Sequence, residues 1–304
     1  MILDLVARAT AVDIDYIRKI ARSASHRYKT YTIPKRDGTT RVIYHPAREL
    51  KLFQGWITRN VIGRLPVHEA ATAYRPRRNI LFNALLHVKH NYLLRIDFEN
   101  FFPSITGRDL ELLLKKNADL LKTIITSDED VRIIKALCCR RDRLTIGAPS
   151  SPSISNSLMF DLDSKWFERC RNKGVAYSRY ADDLYFSTNS RDVLSDVLVE
   201  VRRDLEECES PKLYINNKKT VFSSRKRRRL AAGLVLTSDK KVSIGRDTKR
   251  KIKAYVFRFL NGELEDTEFK YIRGFLPYVQ SVEPDFVESL RRKYGKEVFS
   301  KLLA

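Results

Sequence analysis

No stretch of this 304-residue sequence approaches the roughly 20 consecutive apolar residues that a membrane-spanning helix needs, and no signal peptide opens it. The first twenty residues carry acids throughout and alternate like an amphipathic helix. Cysteine is scarce. Cys138, Cys139, Cys170 and Cys208 form no CxxC pair and stand at no zinc-finger spacing, so a disulfide scaffold and a structural zinc site are both excluded and a reduced, cytoplasmic protein is expected. There is no internal repeat and no low-complexity linker. Acid is also short: 37 Asp and Glu stand against 58 Lys and Arg, a formal charge of +21. Such an excess calls for a polyanionic partner, and without a membrane segment that partner is nucleic acid.

Apolar and charged residues make up 43% and 31% of the chain, enough to build a sizeable core. The pattern predicts an N-terminal helix to about Ala24, then a hairpin over Tyr28–Pro46 whose tip is Pro34-Lys35-Arg36-Asp37-Gly38 with its Asp-Gly step. Leu50, Phe53, Ile57 and Val61 recur at helical spacing. "NYLLRIDFENFFPS" begins as a short buried strand, and helices follow over roughly 107 to 118 and 128 to 140. Ile154, Leu158, Leu162 and Trp166 form the stripe of one helix, with Pro152 in its first turn. A second hairpin over 177 to 187, a helix over about 192 to 207, the short strands "KLYI" and "RLAAGLVLT", and C-terminal helices complete the chain. Strands and helices alternate without a parallel βαβ rhythm, which predicts an α+β fold: an antiparallel sheet backed by helices.

Within "YSRYADDLYFS", Asp182 and Asp183 are adjacent carboxylates between aromatic runs. A surface turn accounts for them as readily as a metal site. Asp97 ends a strand of apolar neighbours, where a charge is costly without compensation. If the sheet brings it to the hairpin tip, three carboxylates converge, and each pair about 4 Å apart repels by about 1 kcal/mol in water and about 4 kcal/mol at an effective dielectric of 20. A hard divalent cation removes that penalty. Two Mg²⁺ ions on carboxylates plus substrate phosphate are the arrangement that drives phosphoryl transfer.

The company of this motif decides between the two readings. "RIDFENFFPS", "GAPSSP", "YADD", "INNKKT" and a basic tail occur together, and the chain from about residue 28 onward resembles a reverse transcriptase. "RVIYHPARELKLFQGWI", Asn83-Ala84 with His87 in "NALLH", and "YVQSVEPDFVESLRRKYGK" are similar to the bacterial retron reverse transcriptases, which make a short DNA from a dedicated noncoding RNA. The end at Ala304 agrees, since group II intron relatives continue into further regions.

The resemblance implies a right-hand polymerase: fingers over 1–90, an antiparallel palm over 91–245 with a helical insertion at about 107–146, and a helical thumb over 246–304. It implies metal binding by Asp97, Asp182 and Asp183 with the carbonyl of Phe98. Lys35 and Arg41 would grip the triphosphate, Phe102 would exclude a 2'-hydroxyl, and Lys219 would protonate pyrophosphate. Alternation along an extended segment would place Phe98 and Phe102 on one side. Asn83 and His87 are expected at the nucleic acid, as are Arg225, Lys226, Arg227, Arg228, Arg229, Lys249, Arg250 and Lys253. These last eight belong to the segment 223–253, where twelve Lys and Arg face two Asp. Implied partners are the noncoding RNA and its DNA product, deoxynucleoside triphosphates and a toxic effector protein of an anti-phage system.

Two departures from the family stand out. Thr145-Ile146-Gly147 replaces the usual Pro-Gln-Gly, and Ala231-Ala232-Gly233 replaces Val-Thr-Gly. Rival readings are a defence reverse transcriptase with protein-primed or untemplated synthesis, and a nucleic-acid-binding scaffold that restrains an effector.

Overall fold

Tyr, Thr and Ile favour extended backbone, and the two runs that carry them pair as antiparallel strands β1 (Tyr28–Pro34) and β2 (Thr40–Pro46), with Thr32 opposite Val42. The computed structural model of the protein describes residues 1–35 and 38–303, so the Arg36-Asp37 part of the expected tip lies outside the described residues. The expected N-terminal helix is two, Ile2–Thr10 and Ile14–Ser23. Ala11 takes a left-handed backbone that stops the first, and the Asp13 side chain caps the second by accepting from the Asp15 and Tyr16 amides. Leu50, Phe53 and Ile57 are buried along the helix Arg48–Asn60. Helices Gly107–Lys116 and Asp128–Cys138 start at capping residues Thr106 and Ser127. The predicted single helix after Pro152 is broken at Met159 into Ser151–Leu158 and Phe160–Asn172.

Four strands form the central sheet: β3 (Tyr92–Asp97), β4 (Ala176–Tyr180), β5 (Asp183–Thr188) and β6 (Val221–Ser224). Their order is β4-β5-β3-β6 and every pairing is antiparallel. The period-two alternation of side chains divides them between two cores. Leu94, Ile96, Leu184 and Phe186 enter a core shared with the N-terminal helices and those between 107 and 172. Leu93 and Tyr185 enter the other, built with β7 (Arg229–Ala231), β8 (Leu234–Leu236) and the C-terminal helices Arg246–Leu260, Asp266–Val282, Pro284–Tyr294 and Lys296–Leu303. Each fully buried Leu, Ile or Phe contributes about 1.5–3 kcal/mol, so both faces hold the sheet in register. Helix Ile80–His87 lies against β4 and β8.

Sequence reasoning missed β6 and the short β9 (Val242–Ser243), which pairs with β8. "KLYI" is no regular strand; Ile215 alone bridges to Phe98. All four cysteines are unpaired thiols, and burial pushes Cys138 and Cys170 up to about 12, which leaves them unreactive. No described helix is long and apolar enough to cross a membrane.

Candidate active site

The hairpin joining β4 to β5 turns in two residues. Tyr180 pairs with Asp183, leaving Ala181 and Asp182 as the turn, and Ala181 adopts a left-handed backbone at φ 57°. Alanine has no intrinsic preference for that conformation, so something must hold it. Arg179 does. Its Nη1 donates to the Ala181 carbonyl at 3.1 Å and to Asn156 Oδ1 at 3.0 Å. The guanidinium is fully buried and paired with an equally buried Asp163, Nη2 to Oδ2 2.6 Å, while the Tyr177 hydroxyl donates to Asp163 at 2.7 Å. Sequence reasoning missed this clamp, although an Arg two residues before a tight Ala-Asp turn and inside an apolar strand is itself a signal.

β3 ends with Asp97 directly opposite Asp183, so the two carboxylates share one face of the sheet. The Phe98 amide donates to the Asp182 carbonyl at 3.2 Å, and the Asn216 amide to the Asp97 carbonyl at 2.8 Å, which fixes the strand end against both neighbours. Lys219 Nζ lies 3.5 Å from Asp97 Oδ1. Burial and then the charge of Asp97 push Asp182 up. Burial and the neighbouring Asp182 push Asp183 up to about 6, with Arg95 and the Tyr185 hydroxyl opposing the rise. That hydroxyl donates to Asp183 Oδ2 at 3.0 Å and accepts from the Ala232 amide at 2.9 Å. Among the described residues no three acidic, imidazole or thiol groups are gathered closely enough to grip an ion as they stand. The set nonetheless suits a hard cation: three carboxylates on adjoining strand ends, two of them destabilised as anions by burial and by one another.

A cavity of about 550 Å³ opens over Asp97 and Asp182. Lys35, Arg41, Phe102 and Lys219 line it together with Asp97 and Asp182, so the structure gathers four side chains drawn from three distant segments. Phe98 and Phe102 are not in step as an extended segment would have them. Asn100 turns left-handed (φ 46°) and a short helix, Phe101–Ser104, follows. The Phe98 ring is buried and stacks on Phe101 at 5.5 Å, whereas Phe102 is half-buried at the cavity wall. Tyr74 and Ile146 also line the cavity. Gly147 (φ +113°) holds Ile146 there: a Cβ on it would lie 2.6 Å from the Tyr44 carbonyl oxygen, and the Tyr44 amide donates to the Ile146 carbonyl at 2.8 Å. The β1–β2 hairpin is thereby anchored beside the acids.

Residues 33–272 match the protein family described as Reverse transcriptase (RNA-dependent DNA polymerase). The chain is 39% identical over 298 residues to the retron Ec83 reverse transcriptase of Escherichia coli, covering 95% of this chain and 93% of that one. It is 31% identical to the retron Ec86 reverse transcriptase of Escherichia coli over 97% and 91% of the two chains. This chain belongs to the bacterial retron reverse transcriptases. Among solved structures, apo telomerase from Candida tropicalis shares the fold with a TM-score of 0.51 at 13% identity, covering 91% of this chain and 60% of that one. The retron enzyme is thus an RNA-directed DNA polymerase with the right-hand fold.

Several expected nucleic-acid contacts of the retron enzyme need correction. Asn83 and His87 are fully buried. His87 lies between Ser187 and Ser178, 2.7 Å from each hydroxyl, and Asn83 Oδ1 accepts from Ser178 and Thr72. Because the one hydroxyl proton of Ser178 points to Asn83, His87 Nε2 carries a proton and donates to Ser178. Burial and the nearby His90 push the His87 pKa down to about 3, so the ring is neutral. Arg229 is buried as well, its guanidinium donating to the carbonyls of His90 and Thr237. These three residues brace the fold. Lys249 is half-buried and paired with Glu283. Arg225, Lys226, Arg227, Arg228, Arg250 and Lys253 are exposed.

Proposed function

We propose that the enzyme copies a dedicated structured noncoding RNA into a short single-stranded DNA, primed by a 2'-hydroxyl of that RNA. The observation that carries the reading is the single cavity in which Lys35, Arg41, Phe102 and Lys219 surround Asp97 and Asp182. Asp97, Asp182 and Asp183, with the Phe98 carbonyl, would hold two Mg²⁺ ions, which when bound lower the pKa of the attacking hydroxyl and neutralise charge on the leaving pyrophosphate. Lys35 and Arg41 place cationic charge where a triphosphate enters between the β1–β2 hairpin and the acids. The Phe102 ring at the cavity wall would exclude a ribose 2'-hydroxyl. Lys219 stands at the acids as a proton donor to the departing pyrophosphate. On this reading residues 1–90 are the fingers, 91–245 the palm with its insertion at 107–146, and 246–304 the thumb.

The resemblance to retron enzymes supports the rest of the proposal: a cytoplasmic anti-phage system in which the RNA–DNA product and the enzyme guard an effector protein. The test is a two-part extension assay. Asp182→Asn and Asp183→Asn should each abolish extension of a DNA primer on RNA with RNA affinity retained, and full activity in either variant overturns the metal assignment. Replacing the priming 2'-hydroxyl with hydrogen should stop initiation yet spare extension of an annealed DNA primer. DNA from cells that lacks a 2',5' linkage to RNA would leave a reverse transcriptase but not branch priming.

A further inference from the structure

A second cavity, about 560 Å³, opens at the other end of the central sheet. Tyr92 begins β3 and pairs with Thr188 and Ser224, whereas Asp97 ends the strand opposite Asp183. Five residues at about 3.3 Å each separate the two sites by about 17 Å. Arg191, Arg225, Lys226 and Arg227 line this cavity with Tyr92 and Phe222. Among its described lining residues the only carboxylate is Asp192, and none of the four cations makes an ion pair within 4 Å. Arg191 Nε donates to the Tyr92 hydroxyl at 3.1 Å, and Arg225 Nη1 to Asn91 Oδ1 at 3.3 Å, so two of the guanidinium groups are oriented by neutral hydrogen-bond partners and not by an ion pair. Phe222 leaves 49% of its surface exposed in the middle of this charge.

A concave site that combines four unpaired cations with an exposed aromatic face suits a chain of phosphates carrying flat bases. A solvated surface needs neither the concavity nor the ring, and a small anion needs no stacking face. We infer that this cavity holds a single-stranded segment of the enzyme's own nucleic acid, the noncoding RNA or its DNA copy, at a site separate from the template and primer at the acids. The inference rests on the proposed use of a structured RNA. Arg191 and Phe222 are the deciding residues: Arg191 neutralises a phosphate and Phe222 stacks on a base. The cavity gives the exposed run Arg225–Arg227 a role in gripping RNA outside the catalytic cleft, so that a folded RNA is held while its reacting strand moves.

The test uses the full chain and two probes. The first is a hairpin RNA with a single-stranded tail, measured by equilibrium binding, and the second is a short DNA primer annealed to an RNA template, measured by extension. Arg191→Glu with Phe222→Ala should weaken hairpin binding by at least about tenfold, with kcat/KM for the short duplex kept within about twofold. Arg191→Lys with Phe222→Tyr preserves charge and ring and should restore binding. The same hairpin made in DNA tells whether RNA or its copy is held, and loss with either supports the site. Unchanged binding of both hairpins overturns the inference, as the cavity is then a solvated face or a protein's docking site. Parallel loss of binding and short-duplex extension overturns it too, placing the cavity on the template path. In the unmodified protein, 4-thiouridine in the tail should crosslink to Tyr92 or Phe222, and crosslinks confined to the catalytic cavity count against the site. Failure of the wild-type enzyme to bind any structured RNA would instead remove the proposed function on which the inference stands.

Discussion

Arg179 carries two duties that a double substitution can separate. Its charge is matched by Asp163 in the core, and its Nη1 holds the Ala181 carbonyl of the β4–β5 turn. Arg179→Met strands a buried carboxylate and should cost about 3–5 kcal/mol, seen as a lower denaturation midpoint. Arg179→Met with Asp163→Leu removes both charges and should recover most of that stability. Extension activity should stay low in the double variant, because the turn that aims Asp182 still lacks its clamp. Full recovery of activity would show that the clamp is dispensable. Phe102 gives the second prediction at this scale. Phe102→Val shrinks the ring at the cavity wall and should raise ribonucleotide relative to deoxynucleotide kcat/KM by about tenfold, whereas an unchanged ratio would make the ring part of the core alone.

At the scale of elements, the helix Ile80–His87 is fastened to β4 and β5 by a polar network whose centre, His87, is neutral only when folded. Its folded pKa of about 3 lies below the unfolded value of about 6.5, so the unfolded chain binds a proton that the folded chain refuses. The His87 contribution is therefore complete above about pH 6.5 and declines as pH falls toward 3, by up to about 1.4 kcal/mol per unit. Subtracting the stability of His87→Gln from that of the wild type across pH 4 to 8 should expose this slope, and a flat difference would argue against a buried neutral ring.

The same network marks where the sequence was opaque. Asn83 and His87 sit four apart on a short helix, a spacing that looks alike whether the face meets solvent, RNA or a sheet. Only the serines of β4 and β5, nearly a hundred residues away, decide it. Arg229 was hidden by its four basic neighbours, since a run of five cations gives no sign of which one a strand turns inward. The convergence of Asp97 with the Asp182-Asp183 turn was legible because each stands at the end or turn of a short apolar strand, where a charge has few other reasons to be. The β6 strand was not, for its Val221 and Phe222 are exposed and its Ser223 and Ser224 are half-buried, the reverse of the usual apolar-in pattern.

For the whole molecule, part of the charge of +21 is gathered at the far end of the sheet, where Arg191, Arg225, Lys226 and Arg227 line one cavity with Asp192. Arg225, Lys226, Arg227 and Arg228 are exposed together, and their joint replacement by Ala should flatten the salt dependence of RNA binding by about 0.7 in slope for each single-strand phosphate they no longer neutralise. Arg229 must be spared, because its guanidinium closes backbone carbonyls inside the fold. An unmoved slope would mean that the run is merely hydrated.

The two-sided burial of β3 has a consequence for how errors in this enzyme are caught. A slip of one residue against β5 would part Asp97 from Asp183 and would in the same step send Leu94 and Ile96 to the wrong core. Chemistry and folding are thus proofread by one comparison, the match of a six-residue strand to its neighbour. A β3 strand one residue out of register therefore cannot be soundly packed and misaligned at Asp97 at once. Loss of extension activity and loss of sheet structure should accordingly coincide along a denaturant titration.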